Sequence, residues 1–76
     1  MNIVYFDDIS GLDKKADVKI AGVKVGWVEN VDLINDHNFQ AQVKIMVHKK
    51  YVLHENAYGV IRQDGLLGTK FIEIEP

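Results

Sequence analysis

The chain has 76 residues, the size of one small domain. Its 9 basic and 11 acidic residues give a net charge of −2 and are spread along the sequence, which argues against nucleic acid as the main partner because phosphate binding needs clustered Lys and Arg. No apolar run approaches the ~20 residues of a membrane-spanning helix, and a chain without cysteine does not depend on disulfides.

Apolar and polar residues alternate with a period of two through most of the chain, which is the pattern of half-buried β-strands. In chain order, the predicted strands cover residues 3–7, 17–21, 23–28, 39–47, 58–63 and 71–75. The clearest is 39–47, where Phe39, Ala41, Val43 and the odd-numbered residues after them are expected to share a buried face. In 23–28, Val23, Val25 and Trp27 are expected to do the same.

Turn-forming residues separate these strands. The bends are expected at Ser10-Gly11, at Ala21-Gly22, in a hairpin loop at residues 35–38 with His37 at its tip, and at Asp64-Gly65. A helical pattern reaches a single turn at most, near residues 8–10 or 54–57. Six or seven short strands with short connections predict an all-β domain, and a closed or nearly closed barrel is favoured because closure removes exposed strand edges.

The residue types needed for catalysis do not converge in this sequence. Ser10 is the only serine and lies outside a nucleophile motif, and Asp7 and Asp8 are expected on opposite faces, as solvated turn or capping residues. His37, His48 and His54 lack metal-ligand spacing. The sequence therefore predicts neither an enzyme nor a metal or cofactor site.

Two glycines bracket a stretch that superficially resembles a phosphate loop, Gly22 to Gly26. The spacing is wrong and no helix follows, so a structural role is favoured. Gly22 permits a tight turn, while Gly26 either makes room beside Trp27 or marks a β-bulge. Trp27 itself is expected in the core, because large aromatic residues dominate small cores.

The loop after residue 63 is apolar where loops are normally polar. Leu66 and Leu67 stand at its tip between Gly65 and Gly68. They either fold back onto the end of the barrel or project outward as an apolar knob, and an exposed knob usually marks a contact with protein, lipid or ligand. The residues themselves leave both possibilities open.

Three segments, in order and with matching gaps, resemble the mammalian-cell-entry (MCE) domain of the substrate-binding subunits of bacterial lipid ABC transporters of the Mla type. They are FDDISGL at residues 6–12, VKIAGVKVGWV at 18–28 and IRQDGLLGTKFIEI at 61–74. The resemblance covers nearly the whole chain. It departs from the family at Lys15, where Gly is frequent and the turn is expected to differ, at His54, where Pro is frequent, and at Gly59, where Ala is frequent.

The resemblance implies that residues 1–76 form one seven-stranded barrel that assembles into a ring, usually a hexamer. It further implies that Gly65, Leu66, Leu67 and Gly68 face a central hydrophobic pore through which phospholipid passes. The implied partners are ABC transporter permease and ATPase subunits. The implied location is the periplasm, with anchoring to the inner membrane by an N-terminal helix outside this sequence; an abrupt start fits either that excised domain or a cytosolic protein.

A second interpretation is a small β-barrel that binds peptide or nucleic acid, since such barrels have similar lengths. It would use aromatic side chains on an open face, and the candidates are Tyr5, Trp27, Tyr51 and Tyr58. The net charge of −2 disfavours the nucleic-acid version.

Overall fold

The computed structural model describes residues 2–36 and 38–76. The described residues form six strands: β1 (Asn2–Phe6), β2 (Asp17–Ile20), β3 (Val23–Asp36), β4 (Asn38–Val47), β5 (Tyr58–Gln63) and β6 (Lys70–Glu75). The predicted all-β class is confirmed, with six strands in the described residues where seven were expected. A single turn occurs near each of the two places where the sequence allowed at most one, closed by the Leu12 N–H to the Ile9 carbonyl and by the Ala57 N–H to the His54 carbonyl.

All six strands belong to one curled sheet in the order β1-β4-β3-β2-β6-β5. Every neighbouring pair is antiparallel except β2 and β6, which run parallel through Val18 opposite Ile72. The curl brings the edge strands β1 and β5 together, since a side chain added at Gly59 would lie 3.2 Å from both Val4 and Phe6. Glycine at this position therefore lets the two edges pack closely.

The core lies inside the curl and is aliphatic. Its buried members are Leu12, Val18, Val25, Val28, Val43, Ile45, Ile72 and Ile74. The alternation predicted for β4 is confirmed at Ala41, Val43 and Ile45, but Phe39 is 62% exposed. Phe39 lies beyond the end of β1, which stops opposite Ala41, so only β3 flanks it.

A β-bulge in β3 overturns the expectation for Trp27. Val18 pairs with Gly26 and Lys19 with Lys24, which leaves Val25 as the extra residue of a bulge next to Gly26, one of the two roles that the sequence left open for this glycine. The bulge shifts the alternation by one residue. Val28 consequently takes the core position, and Trp27 is only half-buried, with its indole nitrogen 3.0 Å from a Glu29 carboxylate oxygen.

Two turns hold residues other than glycine in the left-handed backbone region. Ala21 (φ 51°) and Gly22 (φ 81°) form the two-residue β2–β3 hairpin, as predicted. Lys15 adopts φ 71°, so this departure from the family keeps a glycine-like turn. In the β3–β4 hairpin the strands extend to Asp36 and Asn38, further than predicted, and His37 lies outside the described residues.

Candidate functional site

The leucine loop, residues 64–69, connects β5 to β6 at one end of the curled sheet, which forms a barrel left open between its edge strands β1 and β5. Gln63 pairs with Lys70 as the last residue pair of the hairpin, and the Asp64 N–H donates to the Thr69 carbonyl oxygen at 3.0 Å. These contacts close the neck of the loop. The four residues from Gly65 to Gly68 lie beyond it, so the hairpin presents them at its end.

Leu66 and Leu67 project away from the barrel. The two residues are 92% and 96% exposed, more than any other large apolar residue of the described chain. This geometry decides between the two possibilities that the residues left open. In the single chain the leucines are a solvent-facing knob and contribute nothing to the core.

Gln63 holds the loop in this shape. Its side-chain amide donates to the Leu66 carbonyl oxygen at 3.2 Å and to the Gly68 carbonyl oxygen at 3.0 Å. A two-donor amide can satisfy both acceptors at once. Gln63 is a positioning residue that sequence reasoning missed, because a glutamine at the end of a strand carries no signal of its bonding partners.

Glycine is required at the two positions of the loop for different reasons. Gly65 has φ 75° with open space around it, so its requirement is conformational. Gly68 is sterically constrained, because an added Cβ would overlap the Asp64 carbonyl group. Together they allow the chain to reverse tightly while both leucines remain outside.

A lysine ties the foot of the leucine loop to the segment that follows β1. The Lys70 ammonium donates to the Ser10 carbonyl oxygen at 2.7 Å. Ser10 in turn donates its hydroxyl, at 2.6 Å, and its backbone N–H, at 2.8 Å, to one carboxylate oxygen of Asp8. These two bonds, with a smaller contribution from the Lys70 charge, hold the pKa of Asp8 below its usual range.

The same end of the barrel carries a second exposed apolar surface. β2 and β6 run parallel and begin there, while β3 continues past the start of β2. The β3–β4 hairpin consequently extends beyond the barrel as an overhang. On its core-facing side, Leu33 is 69% and Phe39 is 62% exposed. Sequence reasoning placed Phe39 in the core and assigned no role to Leu33.

A cleft of about 500 Å³ lies at the opposite end. Its walls are mostly apolar and include Ile20, Leu53 and Ile74. Glu73 and Glu75 also line the cleft, and both carboxylates are paired with the Arg62 guanidinium, at 3.5 and 3.0 Å. Because these carboxylates are occupied, the cleft offers apolar contact rather than a set of groups for acid–base chemistry.

The aromatic residues of the second interpretation do not form a common platform. Tyr5 is half exposed on β1 and Tyr58 is exposed on β5, while Tyr51 packs against the core. The Trp27 ring makes an edge contact with His48 at 5.9 Å and bonds to the Glu29 carboxylate. A carboxylate at the indole disfavours an approaching phosphate backbone.

The adjacent carboxylates Asp7 and Asp8 have different hydrogen-bond partners and do not act as a pair. Asp7 accepts a hydrogen bond from the Gln40 side chain at 3.1 Å, and Asp8 caps the turn at Ser10, as expected. Over residues 2–36 and 38–76, no three His, Asp or Glu side chains are grouped closely enough to hold a metal ion. In this same part of the chain, no helix has the length and apolar character to cross a membrane.

Two comparisons with known proteins identify relatives. A family model described as MlaD protein matches residues 3–76. The "Intermembrane phospholipid transport system binding protein MlaD" of Haemophilus influenzae is 34% identical over 70 residues, which cover 91% of this chain and 41% of that protein. This chain thus spans less than half the length of its relative.

The family match covers nearly every residue, including the MCE-like segments and the leucine loop between β5 and β6. The resemblance seen in the sequence is therefore confirmed, and this chain belongs to the MlaD family, with the MCE domain of Mla-type transporters as its fold.

Proposed function

We propose that this domain is the ring-forming part of a phospholipid transport subunit, and that Leu66 and Leu67 line a hydrophobic pore at the centre of the ring. The observation that carries the proposal is the exposure of both leucines, at 92% and 96%, on a loop whose shape is fixed by hydrogen bonds. A disordered apolar loop would not have these hydrogen bonds. They hold the loop in a conformation that keeps both leucines outside the barrel.

Lipid is the ligand that this chemistry suits best. An acyl chain has no hydrogen-bonding groups, so it needs apolar contact and no polar constellation. Burying apolar surface contributes about 25 cal/mol per Å², and two leucine side chains on one copy provide only a small area. Several copies around an axis would add their contacts while each remains weak, which favours passage over tight retention.

Assembly would also add stability to a domain of this small size. A 76-residue domain buries only ~60–65% of the surface of its unfolded chain. Contact between neighbouring copies would add buried area and stabilise the folded state by mass action. We propose a hexamer, in which the leucine loops of all copies converge on the axis and the barrels form the wall.

The name of the Haemophilus influenzae relative refers to an intermembrane phospholipid transport system. By extension we propose that residues 1–76 act as one domain of a longer envelope protein, located in the periplasm and anchored to the inner membrane by an N-terminal helix. In this proposal the partners are the permease and ATPase subunits of an ABC transporter. The domain itself acts as a non-enzymatic conduit.

Replacement of both leucines by asparagine in the full-length protein tests the pore. We expect Leu66→Asn/Leu67→Asn to abolish phospholipid transfer between donor and acceptor vesicles by the reconstituted transporter, with the thermal melt and the oligomer mass unchanged. Val52→Asn is the matched control, since Val52 is an 85% exposed apolar residue outside the loop. Full transfer by the double variant, or unfolding of it, would refute the pore assignment, and a monomeric mass of the wild-type protein would refute the ring.

A further inference from the structure

A pocket of about 230 Å³ lies beside the foot of the leucine loop. It is lined by the turn before β2 and the start of β6, namely Asp13, Lys14, Lys15, Ala16, Asp17, Thr69 and Lys70. Thr69 follows Leu67 by two residues, which is at most about 7 Å of extended chain. The pocket and the apolar tip therefore belong to one end of the molecule.

The pocket is locally cationic in a protein of net charge −2. Three lysines and two aspartates line it, giving +1. The Asp17 carboxylate is already paired with Lys24 at 3.2 Å, which neutralises one of the two acids. The Lys70 ammonium uses one of its three donors on the Ser10 carbonyl oxygen. Its charge also acts on the Asp8 carboxylate, so the net positive charge of the pocket comes from Lys14 and Lys15 against Asp13.

The backbone at Lys15 adds a second observation. Lys15 and Ala16 both bond to Val28, through the Lys15 N–H to the Val28 carbonyl and the Val28 N–H to the Ala16 carbonyl, each at 2.8 Å. Two residues thus oppose one, which is a β-bulge whose first residue has φ 71°. Glycine is the unstrained choice at such a position. The strained lysine places a cationic side chain on the turn that forms the pocket wall.

We propose that this pocket binds the phosphodiester of a phospholipid headgroup while the lipid's acyl chains contact Leu66 and Leu67; this inference rests on the proposed function. Lys14 and Lys15 supply charge-assisted hydrogen bonds to the phosphate oxygens, and the Thr69 hydroxyl supplies a neutral donor. Asp13, for which the described contacts include no ion pair, provides a carboxylate for the cationic end of a zwitterionic headgroup. A free phosphate ion shares the phosphate chemistry, so the test separates the two sources.

Four soluble probes distinguish the possibilities when added to the ¹⁵N-labelled protein and followed by amide shifts. They are inorganic phosphate, glycerophosphocholine, dihexanoyl phosphatidylcholine below its micelle concentration, and dihexanoylglycerol, which lacks phosphate. We expect glycerophosphocholine and the phospholipid to shift the amides of Lys14, Lys15 and Thr69. The phospholipid and dihexanoylglycerol should also shift those of Leu66 and Leu67.

A matched pair of double variants tests the lysines. Lys14→Gln/Lys15→Gln should weaken glycerophosphocholine binding about fivefold, the effect expected for two exposed charge contacts. Lys49→Gln/Lys50→Gln removes the same charge from another exposed lysine pair, in the turn after β4, and should leave the affinity unchanged. Equal loss in both double variants would overturn the site and indicate attraction by net charge alone.

The remaining outcomes separate this inference from the proposed function. If inorganic phosphate binds as tightly as glycerophosphocholine, the headgroup assignment is overturned in favour of a free anion. If dihexanoylglycerol shifts Leu66 and Leu67 but no phosphodiester shifts the pocket, the pocket fails and the lipid-contacting loop stands. If the diester shifts the pocket but neither lipid shifts the leucines, the phosphate site stands and the loop assignment fails.

Discussion

The side-chain amide nitrogen of Gln63 lies 3.0 Å from the carbonyl oxygen of Gly68, across the neck of the leucine loop. The same amide reaches the Leu66 carbonyl oxygen at 3.2 Å. One side chain thus bonds to both halves of the loop. Among the described residues, no other hydrogen bond reaches the tip at residues 65–68. Ordering two exposed leucines costs conformational entropy, and the Gln63 contacts offset part of that cost before any ligand arrives.

Replacement of Gln63 by alanine should loosen the loop without unfolding the barrel. Gln63 is exposed, so its loss should change the free energy of unfolding by about 1 kcal/mol or less. Heteronuclear NOE values of the Leu66 and Gly68 amides should fall, while those of Ile72 stay unchanged. Gln63→Glu keeps the length but removes both donors, so it should behave like alanine; a rigid loop in Gln63→Glu would show that the amide bonds are dispensable.

The two loop glycines should differ in their response to alanine. Gly65→Ala has open space and suffers only the left-handed backbone cost, about 1–2 kcal/mol. Gly68→Ala must also displace the Asp64 carbonyl group, so it should break the Asp64–Thr69 bond and move the loop. Urea unfolding measures the first effect, and amide shifts across residues 63–70 report the second. Equal shifts in both variants would contradict this distinction.

Leucine-to-alanine changes in the loop should leave stability almost untouched. Leu66→Ala and Leu67→Ala should each alter the free energy of unfolding by less than about 0.5 kcal/mol, as exposed sites do. Ile72→Ala removes a fully buried side chain and should cost about 2–5 kcal/mol. Chemical denaturation of the three variants decides the matter. A loss above about 2 kcal/mol in either loop variant would mean that the leucines pack in the core after all.

The β2–β3 hairpin should be stabilised by asparagine at position 21. Ala21 is exposed and has φ 51°, followed by Gly22 at φ 81°. Asn-Gly is the preferred pair when both turn residues have positive φ, and asparagine tolerates the left-handed region that alanine avoids. Ala21→Asn should raise the free energy of unfolding by about 0.5–1 kcal/mol. A decrease comparable to that of the bulky, β-branched Ala21→Val would contradict the backbone argument.

The Asp8–Ser10 contact predicts a dependence on acid. Because the bonds from Ser10 lower the pKa of Asp8 in the folded state, they stabilise the fold above the ordinary Asp pKa of about 3.9, and this contribution is lost as pH falls through the lowered folded value. Ser10→Ala should raise the pKa of Asp8, measured by NMR titration of its carboxyl carbon. Lys70→Gln, which removes only a smaller charge contribution, should raise it less. An unchanged pKa in Ser10→Ala would exclude the hydroxyl as the main cause.

Sequence reasoning was most successful where one physical rule acts locally. The alternation in β4 predicted burial of Val43 and Ile45, because side chains on a strand point to opposite faces and only one face is covered. It failed at Trp27, where the bulge at Val25 shifts the alternation. It also failed at Phe39, where β4 continues past the end of β1. Both failures depend on how the neighbouring strands pair and where they end, and the alternation of residues within one strand carries no information about its neighbours.

The leucine loop shows the same division. The sequence alone showed that the tip of the loop is apolar and lies between two glycines. The matched segments around it identified the family, because the residue types and their spacing can be read directly from the chain. Whether Leu66 and Leu67 pack or project was decided by tertiary structure. The bonds from Gln63 fix that choice, and the pairing of β6 with β2 brings Lys70 and Thr69 beside Lys14 and Lys15. The lysines and the threonine that line this pocket lie up to 56 positions apart in the sequence, and such proximity follows from the way the sheet curls rather than from any local pattern.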